Sequence, residues 1–180
     1  MNTLHARISV LALALTLGAG AAVAAEPVGG KLQGKIGDEL STAKWGLQVL
    51  SVERRAGYES QVAAEKSTTE PKNAADEVVV IKCRLSNRTQ AAQTPMLSPI
   101  HPHNTALTDT HGKSYPLLGF DKEGDHTDEG VTLAPGEGTT FAVLFSVPKG
   151  TVLGDLVFSL QTAYDDYPDG GVDVRVALGK

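Results

Sequence analysis

The chain has 180 residues, 21 acidic and 16 basic side chains, a net charge of −5 and one cysteine. That length fits one domain with a sizeable core. An acidic balance without a Lys/Arg cluster has nothing to track a phosphate backbone, which excludes nucleic acid as a partner class. A lone Cys83 cannot form an internal disulfide, so the fold must be held by its apolar core and the thiol is expected to be inert.

The first residues read as a secretory signal. Met1 to Ser9 carry Arg7 and no acid, Val10 to Leu17 form a short apolar run, and "AGAAVAAEP" supplies small residues at the −3 and −1 positions that a signal peptidase requires. The apolar run falls well under the roughly 20 residues needed to span a bilayer. Residues 1–25 are therefore expected to be removed, with cleavage between Ala24 and Glu26, leaving a periplasmic or secreted protein with no membrane span. No cysteine stands at that boundary to carry a lipid. Loss of Arg7 leaves 15 basic against 21 acidic residues, a charge of −6, and residues 26–180 are expected to form a single domain.

The mature chain has the period of strands. "WGLQVLSV" alternates Trp45, Leu47 and Val49 on one face, and "EVVVIKCRLSN" sends Val79, Ile81, Cys83 and Leu85 to one side, Lys82 and Arg84 to the other. "TTFAVLFSVP" repeats the pattern with Phe141, Val143, Phe145 and Val147, and stops at Pro148, which has no N–H to continue a ladder. "GDLVFSLQ" and "GVDVRVAL" follow as closing strands, the second with Val172, Val174, Val176 and Leu178 inward. Only "ESQVAAEK" has local helix propensity, and it lacks the apolar stripe of a packed helix. The fold class is all-β.

Three polar segments separate the strands. Residues 59–76, almost without large apolar side chains, are expected to form a long, mobile surface loop. Residues 86–103, with Pro95, Pro99 and Pro102, suit an extended crossover between sheets, and "NRT" at 87–89 matches a glycosylation triplet. Residues 121–130 read as a solvated acidic loop. Asp121, Glu123 and Asp125 have the spacing of a calcium loop, but His126 stands where that loop needs Gly and Thr132 where it needs a bidentate Glu, so the match fails.

"TALTDTHGKSY" holds an Asp, a His and hydroxyl residues closely enough to suggest chemistry. Turn formation accounts for them: Asp109 suits the first position of a type I turn, Gly112 the fourth, and His111 the exposed tip. In "LAPGEG", Pro135 and Gly136 suit the centre of a type II turn leading into the Phe141 strand.

Taken in order, "WGLQVLSVE", "VVVIKCRLSNRT", "ALTDTHGKSY" and "LAPGEGTTFAVLFSVPKG" give a chain that resembles a family of exported bacterial immunoglobulin-like domains, best known through a secreted immunoprotective antigen. The resemblance covers Ile36 to Leu160 and rests most on "LTDTHGKSY" together with the "LAPGE" and "VPKG" segments. It implies an immunoglobulin-like antiparallel β-sandwich of about seven to nine strands, outside the cell or in the periplasm, with no catalytic residues to carry over. The Pro/His-rich insert at 94–103 and "YDDYPDGG" depart from the family pattern.

Two functional readings compete. In the first, the sandwich is a non-enzymatic binding or accessory module of the envelope whose loops or sheet edge hold a protein, envelope component or small ligand, with no cofactor. In the second, it is a periplasmic metal protein that uses His101 and His103 of "SPIHPHN", with His111 or Met96, because imidazole and thioether ligate copper or zinc. Pro102 between the two histidines suggests a loop, where exposed histidines are commoner than a site, and Met96 suits packing. A hydrolase built on Ser98, His101 and Asp109 ranks third, because closeness in sequence says nothing about a triad's geometry.

Overall fold

A computed structural model describes residues 31–60, 67–95, 105–122, 131–160 and 172–179. The expected signal at residues 1–25, His101, His103, Met96 and the "YDDYPDGG" segment lie outside the described residues. The strands are β1 (Lys31–Lys35), β2 (Glu39–Ser41), β3 (Trp45–Arg55), β4 (Tyr58–Glu59), β5 (Thr68–Thr69), β6 (Asp76–Asn87), β7 (Thr105–Asp109), β8 (Ser114–Tyr115), β9 (Leu117–Lys122), β10 (Gly138–Pro148), β11 (Leu153–Leu160) and β12 (Val172–Ala177). A first sheet has the order β1-β12-β11-β7-β8, a second β2-β3-β6-β10-β9, and β4-β5 form a small ribbon.

The two large sheets face each other as a β-sandwich. In-facing positions of β6 and β10 meet in register, with Phe141 opposite Cys83, Val143 opposite Ile81 and Phe145 opposite Val79. These six side chains are essentially inaccessible to water and join Leu107, Leu156, Val174 and Val176 of the first sheet in one cluster. Phe120, Phe141 and Phe158 bridge the layers, with ring centroids 5.9 to 6.4 Å apart, a spacing at which tilted and edge-on aromatic pairs attract.

The expected all-β sandwich is present, and two details differ from the expectation. Twelve strands stand among the described residues where seven to nine were expected, because β2 and β8 are short edge pieces and β4-β5 form outside both sheets. The sandwich is also not wholly antiparallel: β1 pairs β12 in parallel, Leu32 opposite Val174. The chain leaves β1 at Gly37, whose φ of 92° makes the corner that hands it to the other sheet.

A β-bulge resets β3. Its register shifts between Val49 and Ser51, so Leu50 is the extra residue and is 42% exposed. Trp45, Leu47 and Val49 face the core before it, and Val52, opposite Ile81, packs against the core after it. An extra residue moves the inward set from odd to even positions.

The segment expected as a mobile loop is packed where it is described. The first half of β6 is buried on both faces, and Val78, Val80, Ala142 and Leu144 form a second apolar cluster on the outer side of the second sheet, under Tyr58. The described residues 56–60 and 67–75, termed the strap, flank this cluster, with Tyr58 packed into it. One end is pinned by Asp121, which accepts hydrogen bonds from Tyr58 Oη at 2.7 Å and Ser60 Oγ at 2.9 Å. At the other, Lys72 N donates to Ser146 Oγ at 2.9 Å, and that hydroxyl donates to Asp76 at 2.8 Å. Asp121 is accordingly a buried end of β9 and not part of a solvated loop, while Glu123 and Asp125 lie outside the described residues.

Candidate functional site: a polar groove on the second sheet

The hairpin that raised the chemical question is a corner. Asp109 Oδ1 accepts the backbone N–H groups of His111 at 2.8 Å and Lys113 at 3.0 Å, and Oδ2 accepts the Tyr115 hydroxyl at 2.8 Å. Gly112, at φ 82°, donates its N–H to the Asp109 carbonyl at 3.0 Å. The Tyr115 hydrogen bond, followed by the two backbone donors, holds the Asp109 carboxyl below its ordinary range against the opposing effect of desolvation. Burial first, and then the bond to Asp109, raises the Tyr115 phenol. His111 stands exposed at the tip. Among the described residues no three His, Cys, Asp or Glu side chains converge as a metal site. Burial raises the Cys83 thiol far above its usual range, so it stays protonated deep in the core.

The glycosylation triplet is built into the fold. Asn87 is fully buried, and its amide nitrogen donates to the carbonyls of Ala91 at 2.7 Å and Leu133 at 2.9 Å. Its side-chain oxygen accepts from Thr89 N at 2.9 Å and Thr89 Oγ1 at 2.8 Å. With both amide hydrogens engaged in the interior, Asn87 is no glycan acceptor. It instead ties the 88–93 loop to the Pro135–Gly136 turn, whose Gly136 N donates to the Asn87 carbonyl at 2.8 Å. That turn closes as expected, with Glu137 N donating to Ala134 O at 3.0 Å and Gly136 at φ 77°.

Between this tied loop and the strap, the outer face of the second sheet carries an open groove of about 560 Å³. Pairing across the strands explains its shape. Ser41, Gly46, Ser86 and Gly138 lie side by side on β2, β3, β6 and β10, and the next outward row is Glu39, Gln48, Arg84 and Thr140. The first row is small and the second long and polar. A side chain at Gly46 would meet Ser86 Oγ at 2.6 Å and the Glu39 carboxylate, and one at Gly138 would meet Arg84 Nε at 2.8 Å. The glycines therefore hold open the space in which these polar groups lie.

The charges in the groove do not all pair. Arg88 Nη1 meets Glu39 Oε1 at 2.9 Å, both side chains about half exposed, a pair that contributes little to stability. Arg84 is exposed and, among the described residues, makes no hydrogen bond or ion pair. Gln48 donates through Nε2 to the Gly37 carbonyl at 2.7 Å, which leaves its oxygen as an acceptor. None of these residues stood out in the sequence. Each is an ordinary outward position of its own strand, and their convergence depends on which strands become neighbours.

Fold and groove define the class: a β-sandwich protein with an open polar groove on one outer sheet face. No family model and no curated protein matches the sequence. Among solved structures the chain is similar to an uncharacterized β-sandwich protein of Clostridium difficile 630, with 11% identity, a TM-score of 0.52, and coverage of 84% of this chain and 97% of that one. It is also similar to the yjhA protein of Bacillus subtilis, with 18% identity, a TM-score of 0.53, and coverage of 80% and 98%. Likeness at these identities establishes the fold.

Proposed function

We propose that the protein is an exported, non-enzymatic immunoglobulin-like module of the cell envelope, and that the groove on its second sheet is the surface that binds. The observation that carries this reading is the Arg84 guanidinium, unpaired among the described residues, beside acceptor groups in a concavity that the missing side chain of Gly46 leaves open. A rigid sandwich that presents a few convergent polar groups suits recognition. The Asp109 carboxylate, a turn residue that the third-ranked hydrolase reading would have needed, is occupied by three donors within its own hairpin. Export is supported by the Arg7, apolar run and small-residue boundary at the N-terminus.

In-cell photocrosslinking tests the reading. A photoreactive residue at Gln90, on the groove rim, is expected to capture one envelope component that the same residue at the exposed Val152 does not. Identical captures from both positions, or none from Gln90, would overturn it.

A further inference from the structure

We infer that the groove takes a small hydroxylated monocarboxylate, an acidic sugar of the uronate kind. This rests on the binding-module reading above and specifies its ligand.

The charge argument comes first. Arg84 and Arg88 against Glu39 leave the lining with one net positive charge, in a chain whose overall charge is −5. Glu39 already neutralises Arg88, so among the described residues of the lining the available cation is Arg84. A single carboxylate matches it, whereas a dianionic phosphate would place surplus negative charge beside Glu39. The guanidinium edge, with parallel N–H donors, fits the two oxygens of a planar carboxylate.

The neighbours of Arg84 ask for hydroxyl donors. Gln48, opposite it on β3, offers its amide oxygen as an acceptor, with one of its two Nε2 hydrogens already given to Gly37, and Glu39 offers carboxylate oxygens. A ligand that places a carboxylate on Arg84 and O–H groups on Gln48 and Glu39 satisfies all three. No large apolar or aromatic side chain lines the groove among the described residues, so a plain aliphatic acid gains little there. A volume of about 560 Å³ falls within the roughly 300–1,000 Å³ common for small-ligand sites.

Amide NMR titration of the whole chain with glucuronate, glucose and butyrate tests this. Glucuronate is expected to shift the amides of Gly46, Gln48, Arg84 and Ser86 saturably, with glucose and butyrate at least about tenfold weaker. Arg84→Gln, at an exposed position, should keep the wild-type melting temperature and weaken glucuronate by about tenfold or more, the usual effect of removing a charge-assisted hydrogen bond. Equal binding of glucose, or no loss in Arg84→Gln, would overturn the carboxylate assignment while leaving the groove a binding surface. Absence of saturable groove shifts with all three probes would overturn the inference, and the crosslinking result would then decide the binding-module reading separately.

Discussion

The phenol of Tyr58 donates to the carboxylate of Asp121 at 2.7 Å across 63 residues of sequence, and both groups are buried. The bond fastens the strap to the edge strand β9 over Val78, Val80, Ala142 and Leu144. Tyr58→Phe keeps the ring and removes this donor. It should cost about 1 to 3 kcal/mol, the range for a buried hydrogen bond to a carboxylate, and speed hydrogen exchange at the Ser60 amide more than in β6. An unchanged exchange rate at Ser60 would mean that the strap is held by its other contacts.

Phe145 lies in the middle of β10, inaccessible to water and opposite Val79. Phe145→Ala should cost about 3 to 5 kcal/mol, a large part of the roughly 5 to 15 kcal/mol that holds a domain together. Val152, 64% exposed on the turn after β10, serves as the contrast, with Val152→Ala within about 0.5 kcal/mol of wild type. Similar urea midpoints for the two variants would refute this packing.

Asp76 and Asp109 set the acid response. Asp76 is held below its ordinary range by hydrogen bonds from Asn73 and then Ser146, and Asp109 by Tyr115 and then the backbone of Lys113 and His111. A carboxyl whose folded pKa is depressed binds fewer protons folded than unfolded. Its contribution is therefore complete above the unfolded value of about 3.9 and disappears as pH falls through the lower folded value. Asp109→Asn should lower stability at neutral pH and flatten the acid limb of a stability-against-pH curve below about pH 4. Wild-type steepness in the variant would show that Asp109 does not contribute.

The metal alternative has its own measurement. If His101, His103 and His111 converge, Cu(II) or Zn(II) should bind through neutral imidazoles, weaken as pH drops through about 6.5 and raise the melting temperature. Titration calorimetry should then show heats that a His101→Ala/His103→Ala double variant loses. Equal heats from both proteins, or none from either, would leave these histidines without a metal role.

What the sequence determined by itself are the features with a local cause. The alternation of Phe141, Val143 and Phe145 follows from the two-residue period of a strand, and Pro148 ends β10 because it lacks an N–H. Asp109, Gly112 and Gly136 make their turns through neighbours no more than a few residues away. Tertiary structure alone decided the rest. Strap residues poor in large apolar side chains look like loop until β6 and β10 offer them an apolar surface, and Asp121 looks solvated until Tyr58 and Ser60 reach it from more than 60 residues away. Asn87 opens a triplet that merely matches a glycosylation pattern, and its structural role shows only when Leu133 takes its amide hydrogen. The groove is the clearest case: Glu39, Gln48 and Arg84 each obey the pattern of their own strand, and only the pairing of β2 with β3 and of β3 with the distant β6 sets them in one row. Local pattern specifies which way a side chain points, whereas its neighbours are chosen by strand order and register, which the packing of the whole core selects.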